Sequence, residues 1–303
     1  MDATIAICTW NRAELLEQTL AHMRQLKVPA GATWEIVVVN NRSTDQTDQV
    51  LARHAQWLPL RRVFEPQQGQ SHARNAAARA ARGELILWTD DDVLVGPRWL
   101  AALLAEAQQQ PAVAFFGGPI EPWFETPPPE WLARNWRQFA SAYAVRDLGP
   151  EPIQCDASRL PFGANFAVRR AVQTQFLYDG RLGRVAHSEV RGEESELLLR
   201  LLADGQRGQW VPAAKVRHFI PRQRLTQRYL QGFYRGVGQA EVIRQTPRPA
   251  GKLSSLRRRA WLSLSSAASA HWFAVLQAAG GHGGKPWAKA LIRSSVQQGR
   301  LAS

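Results

Sequence analysis

The feature that most constrains the fold is the alternation of strand-like and helix-like patterns over the first 116 residues. Short, apolar, mostly β-branched runs predict buried strands at residues 4–8, 34–39, 63–64, 85–88 and 113–116. Helical spacing of apolar or alanine residues predicts helices at 13–26, 71–81 and 99–109. Alternation of this kind implies right-handed crossovers. We therefore predict an α/β fold with a mostly parallel central sheet flanked by helices.

This pattern breaks after residue 118. A stretch rich in proline and tryptophan follows, with one predicted helix at 130–142, and a strand is predicted again at 164–168. A helix at 194–203, a strand or an extended pair interrupted by Pro212 at 211–218, and helices from 225 onward complete the chain. We predict two halves of one α/β domain, at 1–118 and 119–224, and a helical, basic C-terminal extension at 225–303.

The chain is strongly basic, with 38 Lys and Arg against 25 Asp and Glu and a formal net charge of +13. Such an excess indicates an anionic partner or surface. No nucleic-acid-binding motif accompanies it, so nucleic acid is not an expected partner. Basic residues cluster late in the chain, at Arg257, Arg258 and Arg259 among others, which favours contact with an anionic membrane surface.

Two observations bear on the compartment. Residues 3–8 are too short for the apolar part of a secretory signal, and Cys8 and Cys155 are too few for a disulfide framework. We expect a cytoplasmic protein. Residues 261–279 come closest to a membrane span but contain four serines, one histidine and one glutamine. A helix on the inner face of the membrane and a helix in the protein core are equally compatible with this stretch.

Unusual polar residues follow the predicted strands, at 9–12, 40–45, 66–74 and 90–92. Ligands of open parallel sheets bind outside the carboxyl ends of the strands, so these residues are expected in one crevice. Asp90, Asp91 and Asp92 would repel one another there without a cation. Carboxylates are the ligands that Mg²⁺ and Mn²⁺ prefer, and these ions also bridge diphosphates. The triplet therefore predicts a metal and diphosphate site, although a solvated acidic turn is the simpler alternative.

Six segments carry a family resemblance, in the family's order. Residues 5–12, 37–45, 69–75, 89–93, 163–170 and 192–197 resemble motifs of the family-two glycosyltransferases of the GT-A fold. The resemblance spans about residues 4–238, and it implies a nucleotide-sugar-binding half at 1–118 and an acceptor-binding and catalytic half at 119–224 of the same domain. It implies an inverting transfer from a nucleotide-sugar donor, UDP- or dTDP-linked, with a divalent metal, Mn²⁺ or Mg²⁺.

The resemblance also implies residue roles on the donor side. The implied donor-binding residues are Thr9, Asn11, Arg12, Asn40, Arg74, Asp90 and Asp91. Thr9, Asn11 and Arg74 would meet the base and Asp90 the ribose, whereas Asp91 has no assigned role. Asp92 and His218 would hold the metal, and Arg222 and Arg224 would clamp the diphosphate. Asn40 stands where the family usually has aspartate, and its neutral carbonyl is a weaker acceptor for the base.

The family's general base lies in a Glu-Asp motif at a helix start, and the matching pair here is Glu193 and Glu194. Glu194 is the predicted base by position, with Glu193 beside it. Acidic residues also occur in first helical turns without catalysis, because the helix dipole favours them. The extra methylene of glutamate leaves the choice between the two open.

The predicted function is sugar transfer from a nucleotide sugar to a carbohydrate or lipid-linked acceptor, in cell-surface polysaccharide, glycolipid or glycoconjugate synthesis. A nucleotidyltransferase that forms sugar nucleotides is one alternative, but residues 9–12 lack the glycines of its phosphate loop. A non-catalytic nucleotide-binding or membrane-associated scaffold is another, and the retained acids disfavour it. A retaining mechanism stays open at this stage.

Overall fold

The computed structural model describes residues 1–185, 188–245, 273–275 and 285–302. In chain order the strands are Ala3–Thr9 (β1), Trp34–Asn40 (β2), Leu60–Phe64 (β3), Leu85–Asp90 (β4), Val93–Val95 (β5), Val113–Gly117 (β6), Ile120–Phe124 (β7), Gln154–Cys155 (β8), Phe166–Arg169 (β9), Arg207–Trp210 (β10) and Val216–Ile220 (β11). The α-helices are Ala13–Met23 (α1), Thr47–His54 (α2), Gln70–Ala80 (α3), Trp99–Gln109 (α4), Glu130–Arg134 (α5), Trp136–Phe139 (α6), Arg170–Gln173 (α7), Glu193–Ala203 (α8), Gln227–Gln245 (α9) and Lys285–Leu301 (α10).

The central sheet has eight strands in the order β3-β2-β1-β4-β9-β6-β10-β8. Strands β1 to β4 are parallel, and β10 is parallel to β6. Strand β9 enters between β4 and β6 and is antiparallel to both. The sheet is therefore mostly parallel, which confirms the predicted fold class. A separate three-stranded sheet has the order β5-β11-β7.

Alternating side chains of the central strands form two apolar cores, one on each face of the sheet. Ile5 and Ile7 of β1 contact the core that includes side chains of α1 and α4. Ala6 of the same strand belongs to the other core, with side chains of α3 and α8. Burial on both faces is why these strands appear in the sequence as continuous apolar runs.

The described residues separate into two compact units. The first consists of Met1–Trp123, Ala144–Gly180 and Glu193–Phe219, and it contains the whole central sheet. The second consists of Phe124–Tyr143, Arg181–Gly192 and Ile220–Ser303, and it contains α9 and α10. The three-part division predicted from the sequence stays a prediction.

The proline- and tryptophan-rich stretch differs from the single helix expected at 130–142. It forms two short helices, α5 and α6, followed by a 3₁₀ turn at Ala140–Tyr143. Its aromatic side chains pack together in the second unit, where the Trp131 ring centroid lies 5.7 Å from that of Trp287 and 6.3 Å from that of Phe139. These rings form a small apolar cluster.

The predicted extended segment at 211–218 is also corrected. Strand β10 ends before it at Trp210, and β11 begins only at Val216, because Val211 to Lys215 turn between them. Residues 257–272 and 276–280, to which the membrane-surface prediction refers, lie outside the described residues. Within the described residues, none of the helices combines the length and apolar character needed to cross a bilayer.

Candidate active site

The parallel strands bring the first predicted site residues to one edge of the sheet. In the strand register Thr9 pairs with Asn40 of β2, and Cys8 pairs with Asp90 of β4. The carboxyl ends of β1, β2 and β4 thus lie side by side, as the strand-end rule requires. Thr9, Asn40 and Asp90 therefore share the predicted crevice.

Asp91 accepts hydrogen bonds from Thr9, Arg12 and Thr19. Its carboxylate accepts a hydrogen bond from Thr9 Oγ1 at 2.7 Å and one from Arg12 Nη1 at 2.6 Å, and its carbonyl accepts one from Thr19 Oγ1 at 2.9 Å. Burial raises the pKa of Asp91 to about 6, and the negative charge of Asp92 acts in the same direction, whereas Arg12 and Thr9 lower it. Asp91, which had no assigned role, anchors the loop after β4.

The guanidinium of Arg12 extends this anchoring to Asp92. Its second terminal nitrogen donates to Asp92 Oδ2 at 2.6 Å, so one planar fork joins two successive carboxylates. Arg12 follows β1 directly and lies close to the acids because β1 and β4 are neighbours. The sequence assigned Arg12 to the donor, and its observed contacts are with the acids.

The other oxygen of Asp92 lies beside His218. The distance from Asp92 Oδ1 to His218 Nε2 is 3.5 Å, and both side chains are buried. His218 pairs with Val93 in the β11–β5 register, and the Phe219 amide donates to the Asp92 carbonyl at 2.9 Å, which fixes this proximity. A carboxylate oxygen and an imidazole nitrogen this far apart are compatible with two ligands of one metal ion. In the described part of the chain, no group of three or more His, Cys, Asp or Glu side chains is arranged to hold a metal by itself.

Arg74 lies between the aspartate triplet and the glutamate pair. Its Nη2 is 3.6 Å from Asp90 Oδ1, and its Nε is 3.5 Å from Glu193 Oε1. The side chain is only 3% exposed. Three aromatic rings surround its guanidinium at 5.5–5.7 Å, those of Trp88, Phe166 and Tyr178. A buried cation thus joins acids from β4 and α8.

The glutamate pair begins α8 and has two distinct environments. Glu193 is 3% exposed, whereas Glu194 is partly exposed. Burial, together with the charge of Glu194, raises the pKa of Glu193 to about 8, although Arg74 acts in the opposite direction. A Cβ atom on Gly163 would lie 2.8 Å from Arg74 Nη2 and 3.3 Å from the Glu194 carboxyl carbon. Because Gly163 has no side chain, Arg74 and Glu194 can both occupy the space beside it.

The loops after β1 and β2 are tied together by their own side chains. Asn11 has a positive φ of 52°, and its Oδ1 accepts a hydrogen bond from the Thr44 amide at 2.7 Å. Asn40 Oδ1 accepts one from the Ser43 amide at 2.8 Å, and its Nδ2 donates to Asp48 Oδ1 at 2.7 Å. Both predicted base-binding residues thus shape the loops, and their contact with a base stays a prediction.

Arg222 and Arg224 belong to the second unit. The Arg222 amide donates to Glu125 Oε2 at 2.7 Å, and the Arg224 guanidinium lies 5.9 Å from the Tyr229 ring centroid. The remaining predicted site residues lie in the first unit. The diphosphate clamp stays a prediction.

Asn165 lies within the 163–170 motif, and the sequence predicted no role for it. Its side chain is fully buried and accepts from Trp99 Nε1 at 2.7 Å, while its Nδ2 donates to the carbonyls of Pro119 and Ala214. It thereby fixes the segment that leads into β11 and His218. A polar residue flanked by small and apolar ones at 163–168 is the signal that would have indicated a buried structural amide.

Comparison with known proteins identifies the family. The model of glycosyl transferase family 2 matches residues 4–162. Validoxylamine A glucosyltransferase of Streptomyces hygroscopicus subsp. jinggangensis is 34% identical over 161 residues, which are 52% of this chain and 37% of that protein. Succinoglycan biosynthesis protein ExoM of Rhizobium meliloti is 24% identical over 228 residues, which are 75% of this chain and 69% of that protein. The match to the glucosyltransferase thus spans little more than a third of its length.

Two solved structures share the fold. The mannosyltransferase PcManGT of Pyrobaculum calidifontis, in complex with GDP-Man and Mn²⁺, has a TM-score of 0.63 at 22% identity, covering 98% of this chain and 86% of its own. S. aureus TarS 1–349 in complex with UDP-GlcNAc has a TM-score of 0.58 at 13% identity, covering 99% and 90%. These similarities confirm the GT-A fold. Because the family model covers more than half of its 303 residues, the chain belongs to glycosyl transferase family 2, a family of glycosyltransferase enzymes.

Proposed function

We propose that this chain is an inverting, metal-dependent glycosyltransferase that moves a sugar from a nucleoside diphosphate to an acceptor hydroxyl. The observation that carries the proposal is the position of Arg74, which lies within 3.6 Å of Asp90 and within 3.5 Å of Glu193. The acids expected on the donor side and those expected on the acceptor side therefore lie within reach of a single guanidinium. A donor and an acceptor bound at these acids would be neighbours.

The charge of this cluster favours a divalent cation. Four carboxylates, those of Asp90, Asp91, Asp92 and Glu194, lie near the two guanidinium groups of Arg12 and Arg74, and burial favours the neutral form of the fifth acid, Glu193. A diphosphate adds further negative charge, so a bound Mn²⁺ or Mg²⁺ supplies the missing compensation and stabilises the leaving group. Asp92 and His218 would hold this ion, and the diphosphate oxygens would complete its coordination. The donor is proposed to be UDP- or dTDP-linked.

The proposed reaction is a direct displacement. The acceptor oxygen forms a bond to the anomeric carbon as the bond from that carbon to the diphosphate oxygen breaks, so the anomeric configuration inverts. The Glu194 carboxylate takes the proton of the acceptor hydroxyl. The nucleoside diphosphate leaves with the electron pair of the broken bond.

The structure supports Glu194 rather than Glu193 as the base. A base must reach the acceptor hydroxyl, and Glu194 is the partly exposed member of the pair. Glu193 is buried against Arg74, and burial raises its pKa to about 8, so it holds its proton over much of the neutral range. Its proposed role is to set the position and charge of the neighbouring carboxylate.

The proposed acceptor is a carbohydrate or a lipid-linked carbohydrate. One relative, ExoM, carries succinoglycan biosynthesis in its name, and another, from Haloferax volcanii, is a glucosyl-dolichyl phosphate glucuronosyltransferase. These names support a role in cell-surface polysaccharide, glycolipid or glycoconjugate synthesis. We place the protein in the cytoplasm, with the basic residues around Arg257–Arg259 in peripheral contact with the inner face of the membrane.

A thermal-shift panel tests the donor site. UDP-glucose, dTDP-glucose and GDP-mannose are each added to the purified chain with Mn²⁺, with Mg²⁺ and with EDTA. At least one donor is expected to raise the Tm with metal and not with EDTA, and the effect should disappear in Asp92→Ala. A panel in which no donor stabilises the wild type would refute the proposal. The anomeric configuration of the product, read by NMR, distinguishes inversion from retention.

Sedimentation with liposomes tests the membrane contact separately. Vesicles with anionic phosphatidylglycerol are expected to bind the chain at low salt and release it at high salt, and neutral phosphatidylcholine vesicles to bind little. Replacing Arg257, Arg258 and Arg259 with glutamine should weaken the sedimentation. Equal binding to both kinds of vesicle would contradict an electrostatic contact.

A further inference from the structure

The segment that precedes the glutamate pair is seated on helix α9 within the second unit. A Cβ atom on Gly236 would overlap the backbone carbonyl oxygen of Glu189. One turn earlier, a Cβ atom on Gly232 would lie 2.5–2.6 Å from the two carboxylate oxygens of Glu189. The two glycines are four residues apart and therefore lie on the same side of the helix. Their missing side chains provide the space that Glu189 occupies.

A second contact holds the same segment. The Arg191 guanidinium lies 4.7 Å from the ring centroid of Phe233, which stands next to Gly232 on α9. Gly192 follows, with a φ of 83°, a left-handed conformation in which glycine has no steric penalty. Glu193 and Glu194 come directly after it and begin α8. Only Gly192 separates the docked segment from the acidic pair.

We propose that the Gly232–Gly236 face of α9 is a positioning element for the reaction, because it fixes the segment that leads into Glu193 and Glu194. This inference rests on the proposed function, in which Glu194 is the base. Glycine costs about 1 kcal/mol relative to alanine within a helix, and the close approach of Glu189 is the structural gain that offsets this cost at Gly232 and Gly236. Retaining glycine where Glu189 packs is compatible with a role that alanine cannot fill.

The two positions should differ in the size of their effect. Alanine at Gly236 meets a backbone carbonyl, so the Glu189–Arg191 segment has to shift as a whole. Alanine at Gly232 meets the end of a flexible side chain, which can rotate away. A displacement near 1 Å at a catalytic group can cost on the order of 100-fold in rate. We therefore expect Gly236→Ala to lower kcat about tenfold or more, and Gly232→Ala to lower it by about two- to threefold.

Gly238 provides a matched control on the same helix. A Cβ atom there would overlap the carbonyl oxygen of Val296 in α10, so the same substitution disturbs the packing of α9 on α10 instead of the Glu189 segment. Turnover is followed as nucleoside diphosphate released from the donor that gives the largest thermal shift, at a temperature where all variants are folded. Gly238→Ala is expected to lower Tm with kcat within about twofold of wild type. Gly236→Ala is expected to lower kcat with the donor KM within about twofold.

A double variant keeps the test decisive if Gly236→Ala does not fold. Removing the carboxylate in Glu189→Ala gives the alanine at position 232 its space, so the double variant Gly232→Ala/Glu189→Ala should turn over like Glu189→Ala alone. Equal kcat losses in Gly236→Ala and Gly238→Ala, or a double variant no better than Gly232→Ala, would overturn the inference. A wild-type chain that transfers no sugar would instead overturn the proposed function, so the two failures are distinguishable.

Discussion

The aspartate triplet after β4 and the glutamate pair at the start of α8 are both acidic, yet they are held in different ways. Asp91 and Asp92 share the Arg12 fork through two hydrogen bonds of 2.6 Å, and Asp91 also accepts one from Thr9. In the glutamate pair, Arg74 Nε lies 3.5 Å from Glu193 Oε1, which is a longer contact, and Glu194 stays partly exposed. One acidic group is tightly fixed, and the other leaves a carboxylate accessible.

This difference matches two kinds of chemistry. A metal ligand works best when its orientation is fixed in advance by hydrogen bonds from neighbouring groups. A general base has to meet an incoming hydroxyl and therefore needs access. In this site the contacts of an acidic residue therefore indicate its proposed role. Acids fixed by several hydrogen bonds suit a metal ion, and an accessible carboxylate suits a general base.

The largest expected effect comes from removing the cation between the two groups. Arg74→Met leaves Asp90 and the buried Glu193 without their shared guanidinium, which should lower the free energy of unfolding by about 3–5 kcal/mol. The double variant Arg74→Met/Glu193→Gln should recover little of this loss at neutral pH, because Glu193 already holds its proton and the charge left without a partner is that of Asp90. Urea unfolding measures both. An unchanged midpoint for Arg74→Met would show that the buried ion pairs do not stabilise the fold.

Removing the Arg12 guanidinium, which joins Asp91 and Asp92, should weaken metal binding more than it lowers the stability of the fold. Arg12→Met removes the two hydrogen bonds that Arg12 donates to the carboxylates of Asp91 and Asp92. Losing such a supporting partner typically weakens metal binding about 10- to 100-fold. Titration of the chain with Mn²⁺, followed by electron paramagnetic resonance, gives the Kd without any need for turnover. A Kd equal to that of the wild type would mean that Arg12 does not orient the metal ligands.

The buried Glu193 predicts a pH dependence of stability that Glu193→Gln reduces. Burial raises the pKa of Glu193 from 4.5 to about 8, so between these values the folded state binds a proton that the unfolded state releases. Stability from this group is therefore present below about pH 4.5 and lost as the pH rises towards 8. The slope is at most ~1.4 kcal/mol per pH unit. Unfolding free energies from pH 5 to 8 should fall less steeply in Glu193→Gln, and parallel curves would contradict the assignment.

The smallest effect is expected from single hydrogen bonds to Asp91. Thr9→Val removes the donor to its carboxylate, and Thr19→Val removes the donor to its carbonyl. Each should lower stability by about 1 kcal/mol. Only Thr9→Val is expected to weaken Mn²⁺ binding as well, because it alone frees the carboxylate that shares Arg12 with Asp92. Equal Kd values in both variants would place the whole orienting effect on Arg12.

The sequence was sufficient for the parallel core and insufficient for the second half of the sheet. Strands β1, β2 and β4 are buried on both faces, so the sequence pattern showed their apolar runs and the polar residues at their ends. Strand β9 was expected near 164–168, but its place between β4 and β6 depends on pairings with residues about 80 and about 50 positions earlier, which no local pattern encodes. The two-residue β8 has too little sequence to produce a pattern.

The sequence predicted which residues lie together in the candidate site better than it predicted the contacts that each of them makes. Thr9, Asn40 and Asp90 follow strands and were expected together, and the structure places them on neighbouring strands. Arg12 and Arg74 were expected at the donor, whereas the structure shows their contacts with acids. Such contacts depend on which strands are neighbours and how side chains turn, and that information exists only after folding.

The most direct test of the central claim is the turnover of Glu194→Gln with its donor bound. The variant keeps the shape of the side chain and loses the proton acceptor, so the thermal shift with donor and Mn²⁺ should equal that of the wild type. Sugar transfer should fall by about 100- to 10,000-fold, the usual contribution of a general base. Glu193→Gln, the matched control one residue earlier, should lose less. Wild-type turnover in Glu194→Gln would contradict the account.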